Sequence, residues 1–186
     1  MRLFVSIDLP EHLIDAIADA QDRFPETTDI RYTDPTQAHV TIQFLGEMPS
    51  SRLTDIQLAL ERAVESAAVS SFELTVGGLG AFPSISYITV IWTGVRNDVG
   101  VDRTTRLHTA VETEMTDIGI SPDDHPFTPH ITLARMDGAH GKSTVQRVIE
   151  TQDPDIGTTT VDAIQLKKSI LTGSPPTYET VETIPI

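Results

Sequence analysis

The chain has 186 residues, 39% of them hydrophobic, and its 27 acidic and 13 basic side chains give a formal net charge of −14. That length supports one substantial core, or two small lobes sharing one, and the apolar content excludes a disordered tail. The lack of cysteine removes disulfides, thiolate nucleophiles and Cys-ligated metals, and the acidity argues against broad electrostatic binding of duplex nucleic acid.

Arg2 to Asp8 is an apolar-rich run closed by Pro10 and reads as a strand. It has no signal-peptide layout, and no apolar run approaches the roughly 18–20 residues of a membrane span, so a cytoplasmic protein is expected. Glu11 to Phe24 carries Leu13, Ile14, Ile17 and Ala18 at helical spacing, with Pro25 after it. Asp29 to Thr33 and Ala38 to Leu45 are read as a hairpin around Asp34-Pro35. Ser50 or Ser51 is expected to cap a helix through about Val69, with Ile56, Leu60, Val64 and Ala67 on its inner face. Phe72 to Val76 reads as a strand broken at Gly77-Gly78-Leu79-Gly80, and Ile85 to Thr93 as another, carrying the only Trp, Trp92. In the second half, Asp98 to Ile118 is helical, with Leu107, Val111, Met115 and Ile118 as its buried stripe. Ser121 to Asp124 is a turn, and Phe127 to Ala134 a strand. A helix is expected near Ser143 to Gln152. Val161 to Leu171 and Thr177 to Ile184 read as a closing hairpin around Gly173-Ser174-Pro175-Pro176. Hairpin-length links between several strands point to an α+β fold with largely antiparallel sheets.

Two tetrads stand out: His39-Val40-Thr41-Ile42 and His130-Ile131-Thr132-Leu133. Each reads His, apolar, Thr, apolar, and one lies in each half of the chain. Side chains alternate between the faces of a strand, so each tetrad sets an imidazole beside a hydroxyl on one face and two apolar groups on the other. One such tetrad alone is as well explained by a half-buried strand. A repeated pair suggests pseudo-two-fold lobes within a single domain, residues 1–186, and a site with two histidines and two hydroxyls. Histidine is the side chain whose pKa lies near neutral, so such a pair can hold one acid and one base around an anionic group.

Other signals are weaker. Gly138-Ala139-His140-Gly141-Lys142-Ser143-Thr144 follows a strand and precedes a helix, the setting of a phosphate-binding loop. The Gly that pattern requires five residues before Gly-Lys is Met136, so the match fails and a helix-capping turn is the better reading. No His-Glu-x-x-His or carboxylate-rich metal cluster occurs, so the sequence offers no metal site. His12, His108, His125 and His140 have no partner pattern. Tyr32 and Phe82 are candidates for stacking an RNA base or for the core.

At these residues the chain resembles the two-histidine (2H) phosphoesterase superfamily, and within it the RNA 2′,3′-cyclic phosphodiesterases once named 2′-5′ RNA ligases. The resemblance runs nearly end to end. Arg2 to Pro10 resembles the opening strand, and Ala38 to Glu47, with its Phe44-Leu45-Gly46-Glu47 tail, the first motif. Gly80 to Ser84 and Val90 to Val95 resemble the intervening loop and strand, Phe127 to Arg135 the second motif, and Tyr178-Glu179 the start of the last strand. Arg31-Tyr32 departs from the family's frequent Arg-Trp.

The resemblance implies a bilobal α+β fold with a His-x-Thr strand from each lobe lining a central cleft, and no cofactor. It implies opening of 2′,3′-cyclic phosphate ends on RNA to 2′-phosphates and, for some members, joining of tRNA halves through a 2′-5′ linkage. By resemblance His39 is the acid toward O3′ and His130 the base toward water; the residues themselves do not order them. Thr41 and Thr132 would hold the non-bridging oxygens, and Arg135 is a candidate phosphate contact. The alternatives are a superfamily enzyme acting on a small cyclic nucleotide or a 2′-5′ oligonucleotide, and a non-catalytic RNA-end binding module. No obligate protein partner is evident. With three Lys and acids spread along its length, the composition resembles that of proteins from salt-accumulating haloarchaea.

Overall fold

Alternating burial organises the strands. In β1 (Arg2–Asp8), Leu3, Val5 and Ile7 enter the hydrophobic core, while Phe4, Ser6 and Asp8 fall on the other face. The same division continues through β2 (Ile30–Tyr32), β3 (His39–Glu47), β4 (Phe72–Ser84), β5 (Tyr87–Val95), β6 (His130–Met136), β7 (Asp155–Val161), β8 (Ala163–Ile170) and β9 (Thr177–Pro185). This computed structural model describes residues 1–171 and 176–186. Among them the strands form one antiparallel sheet, ordered β7-β4-β5-β6-β3-β1-β8-β9, with β2 added beside β6. The order is symmetric about the β6–β3 contact: β5 matches β1, β4 matches β8, and β7 matches β9.

Four α-helices cover the core face: α1 (Ile14–Gln21), α2 (Leu53–Ala67), α3 (Asp98–Asp117) and α4 (Lys142–Thr151). Their buried residues recur at helical spacing: Ile17 and Ala20; Ile56, Ala59, Leu60 and Ala63; Leu107, Val111 and Met115; Val145 and Val148. They join the strand residues in one cluster, each large side chain contributing about 1.5–3 kcal/mol by leaving water. No helix among the described residues is long and apolar enough to cross a membrane.

Several elements differ from expectation. β2 does not form a hairpin with β3; it pairs with β6 instead, Arg31 opposite Arg135. Asp34 caps a 3₁₀ turn at Pro35–Gln37 through Thr36 N–H, and that turn separates the two strands. The glycines at 77, 78 and 80 do not end β4. The strand continues to Ser84 through a register shift, and Trp92 lies so close over Gly80 that a Cβ there would meet its ring at 2.1 Å. Ser50–Arg52 forms a 3₁₀ turn, and Arg52 precedes α2 with no side-chain cap. Ala59 and Ala63 join the expected Ile56, Leu60 and Ala67 on the inner face of α2, and Val64 packs half-buried against the core. β7 was not foreseen: it is a Thr run whose two buried apolar residues, Ile156 and Val161, are five apart, and a register shift at Ile156 breaks the alternation between them. The turn expected around Gly173-Ser174-Pro175-Pro176 falls, apart from Pro176, outside the described residues. The paired strands β8 and β9 on either side are as expected.

Each His-x-Thr strand bulges directly after its Thr. Against β1, Thr41 and Gln43 take successive partners and Ile42 is left over. Against β5, Thr132 and Ala134 take successive partners and Leu133 is left over. A bulge residue loses its place in the ladder, so its carbonyl needs another donor. His108 of α3 donates from Nδ1 to Ile42 O at 2.8 Å, and Gln21 of α1 donates from Nε2 to Leu133 O at 2.9 Å. Both side chains are buried. The His108 ring also stacks on Phe127, with centroids 4.1 Å apart. His108→Phe keeps a ring at this position and removes the donor. It should lower unfolding stability in urea by about 1–3 kcal/mol, the cost of a buried carbonyl left unpaired. An unchanged midpoint would show that the Ile42 carbonyl needs no donor.

Candidate active site

β3 and β6 meet at a single pair, Val40 opposite Ile131, both in the core. Continuing this register sets His39 opposite Thr132 and Thr41 opposite His130. The four polar residues of the tetrads therefore share the face away from the core, all half-buried, with the histidines as diagonal neighbours.

The two imidazoles are held alike. His39 Nδ1 donates to Gln37 O at 2.8 Å, and His130 Nδ1 donates to Thr128 O at 2.7 Å. In each case the acceptor is the carbonyl two residues earlier. A carbonyl only accepts, so Nδ1 carries a proton in both rings and Nε2 remains for proton transfer. Aromatic rings wall both histidines. Phe4 and Tyr178 lie 5.1 and 5.2 Å from His39, and Phe82 and Trp92 lie 4.8 and 6.1 Å from His130.

Burial among these rings pushes both histidines below their ordinary pKa, and the carbonyl each ring bonds opposes that. The charges around them differ. Asp8 lies directly opposite His39 across β1 and β3, whereas Gly94 holds the corresponding place opposite His130. Asp8 favours the protonated form of His39; Lys167 and His130 oppose it. Asp8 is itself held by Lys167 Nζ at 2.5 Å and by Ser6 Oγ at 3.0 Å, while its backbone N–H donates to Gln165 Oε1. His130 has Arg135 as its charged neighbour, which favours the neutral form.

Arg135 owes its position to the bulge. Without it, strand alternation from Thr132 would carry Ala134, not Arg135, on the site face. With Leu133 taken out of phase, Ala134 and Met136 are buried and Arg135 is exposed beside His130. Its charge also reaches Tyr178, on the far side of His39, so it acts across the cleft. The same step on β3 exposes Phe44 at the matching position, 55% accessible.

Thus the structure brings His39, Thr41, His130, Thr132 and Arg135 onto one face. Tyr32 lies apart, its hydroxyl bonded to Pro25 O, while Phe82 forms part of the His130 wall. The sequence reading did not single out Asp8, Lys167, Gln21 or His108. Asp8 was legible as the residue ending β1; the others depend on contacts between distant segments. The described residues hold no group of three or more His, Asp or Glu placed to bind a metal.

The Asp8–Lys167 pair makes a signed prediction. Asp8→Asn removes the favourable charge and leaves the ammonium, so His39 should titrate at lower pH. Lys167→Gln leaves the carboxylate unopposed, so His39 should titrate at higher pH. Imidazole NMR titration reads both; shifts in the same direction would refute the arrangement.

A symmetric antiparallel sheet presenting a His-x-Thr strand from each half defines a two-histidine phosphoesterase fold. The model of the 2′-5′ RNA ligase superfamily matches residues 9–169, and the chain belongs to that family. It is similar to the RNA 2′,3′-cyclic phosphodiesterase of Aeropyrum pernix, 35% identical over 77% of this chain and 78% of the relative. It is also similar to that of Methanothermobacter thermautotrophicus, 28% identical over 98% of this chain and 97% of the relative. Among solved structures, a Thermus thermophilus protein superposes with a TM-score of 0.79 at 27% identity, covering 100% of this chain and 97% of its own. Escherichia coli LigT, solved with 3′-AMP, has the same fold at 22% identity and a TM-score of 0.79, covering 100% of this chain and 97% of its own.

Proposed function

We propose that this protein hydrolyses terminal 2′,3′-cyclic phosphates on RNA to 2′-phosphomonoesters, with His39 as general acid and His130 as general base. The observation that carries this reading is the pair of imidazoles on one face, each with Nδ1 tied to a carbonyl and Nε2 left for proton transfer. The names of the relatives support the substrate class.

The chemistry needs little beyond proton management. Water attacks phosphorus and gives its proton to His130 Nε2. The P–O3′ bond breaks, and O3′ takes the proton from His39 Nε2. The products are a 2′-phosphate and a free 3′-hydroxyl, with His130 protonated and His39 neutral until solvent resets them. Thr41 and Thr132 donate to the non-bridging oxygens, where negative charge builds. Asp8 beside His39 and Arg135 beside His130 support this order of acid and base. Ligation of RNA ends, the family's other named activity, is the same ring opening with an RNA hydroxyl in place of water.

His39→Ala or His130→Ala should each lower turnover by about 10²–10⁴, and the double variant should be little worse than either alone. The substrate for this test is a short RNA ending in a 2′,3′-cyclic phosphate, with the product identified by chromatography against 2′- and 3′-phosphate standards. Phosphate solely on the 3′ oxygen would reverse the assigned orientation, and full turnover by either single variant would remove the acid–base pair. EDTA should leave the rate unchanged. Because both histidines titrate below about 6.5, kcat/KM should peak on the acid side of that value. A maximum above pH 8 would contradict the assignment.

We also read the acidic surface as an adaptation to high salt. At about 1 M salt the Debye length is roughly 3 Å, which screens repulsion among the 27 carboxylates and between protein and RNA. Activity on an oligonucleotide should hold or rise toward molar KCl. A steady loss above about 0.2 M, with circular dichroism unchanged, would refute the adaptation but leave the mechanism intact.

A further inference from the structure

Past the Val90–Arg135 pair, β5 and β6 have no further partners in each other. Between the start of β5 and the end of β6 lies a cavity of about 280 Å³, lined by Tyr87, Thr89, Asp137 and Lys142 among others. It begins one residue beyond Arg135. Tyr87 at its edge is 66% exposed. Lys142 belongs to the Gly-Lys-Ser turn that failed as a phosphate-binding loop; its ammonium donates to Ser86 O at the tip of the β4–β5 hairpin.

The charges at the two ends of the cleft differ. At this end Arg135 stands opposite Arg31 on β2, and Arg31 Nη2 donates to Asp137 Oδ1 at 2.9 Å. With Lys142, that makes three cations against Asp137 and Asp29, the latter bonded to His140 N–H. At the opposite end, Phe44 takes the place of Arg135, and the neighbouring groups are Asp123, Asp124, Glu112 and Glu47 against Arg2, opposite Glu47, and the Met1 ammonium, 3.3 Å from Glu47. A polyanion threaded through a chain of charge −14 is drawn toward the cations and repelled by the carboxylates.

We propose that the RNA body leaves the paired histidines over Arg135 and Arg31 and enters this cavity, where Tyr87 stacks on a base upstream of the cyclic phosphate. The inference rests on the RNA phosphodiesterase reading and adds an upstream single-strand subsite to it. Thr132 and Met136, the last residue of β6, are four residues apart, about 13 Å of strand at roughly 3.3 Å per residue, a span of a few nucleotides. Arg135 and Arg31 follow the backbone phosphates, and stacking on Tyr87 tolerates any base.

The test compares 2′,3′-cyclic AMP with a tetranucleotide ending in a 2′,3′-cyclic phosphate. In Tyr87→Ala, kcat/KM on the tetranucleotide should fall about tenfold while turnover of the mononucleotide stays within about twofold. Tyr87→Phe keeps the stacking face and should restore the tetranucleotide rate. Lys142→Gln should weaken the tetranucleotide alone, less so as salt rises. Equal losses on both substrates would make Tyr87 a structural residue and overturn the proposal, as would no loss on either. If the wild-type protein turned over neither substrate, the phosphodiesterase reading would fall and the subsite with it. If it turned over both and Tyr87→Ala changed nothing, the subsite alone would fall.

Discussion

The cleft depends on two bulge carbonyls. Each His-x-Thr strand bulges immediately after its threonine, so the carbonyls of Ile42 and Leu133 lie where pairing with β1 and β5 is interrupted. His108 of α3 donates to the first, and the second takes the Thr33 N–H, the Thr33 hydroxyl and Gln21 of α1. Without those donors the bulges would carry an unpaired buried acceptor, and regular pairing would be favoured. Regular pairing would turn Ala134 and Gln43 toward the cleft and Arg135 and Phe44 toward the core. Arg135 and Phe44 are therefore positioned in part by bonds made on the far face.

The two halves of the sheet repeat the same backbone device with different side chains. Equivalent positions hold Asp8 and Gly94 opposite the histidines, Ser6 and Trp92 opposite the threonines, and Phe44 and Arg135 beyond the bulges. The shared part supplies two imidazoles of the same tautomer, which the symmetry alone leaves interchangeable. The differing part distinguishes them. A carboxylate across from one ring and a guanidinium beside the other bias the two proton affinities in opposite directions while burial lowers both. Lys167 limits that bias: an unopposed Asp8 would favour a permanently charged His39, a poor donor at neutral pH.

Local pattern made much of this legible. The period-two alternation of β1, the 3.6-period stripe of α3 and the paired tetrads all appear within a few residues of sequence, and the structure keeps them. The misreadings share a cause. The segment at Ile30–Tyr32 has the alternation of a strand, but nothing local says that its partner is β6 and not its neighbour β3. Gly77 to Gly80 reads as a break because glycine is common in turns. The actual reasons lie in the fold: the Trp92 ring presses against Gly80 from the adjacent strand, Arg96 lies against Gly77, and Gly78 takes a positive φ. Straight alternation puts position 135 on the wrong face, and the carbonyl of the bulge that corrects it is held by Thr33 and Gln21, about a hundred residues earlier in the chain. Long-range bonds, not local propensity, decide which residues complete the cleft.

An acid–base pair built this way also bears on direction. In the proposed mechanism hydrolysis ends with His130 protonated and His39 neutral, and that state is the starting point for the reverse step, in which the 3′-hydroxyl attacks phosphorus and water or an RNA hydroxyl leaves. Two rings of one tautomer, each with Nε2 available, can serve in either sense. The protein thus sets rates and protonation states, while the supply of water or of a second RNA hydroxyl sets the outcome. Exposed Phe44 at one end and the cationic stripe at the other make the two approaches to phosphorus unlike. On the proposed path, a strand of RNA drawn toward Arg135 and Arg31 would leave the Phe44 end open to the attacking group, be it water or a hydroxyl. The broken symmetry that orders the proton transfers then also separates the path of the bound chain from the path of its nucleophile.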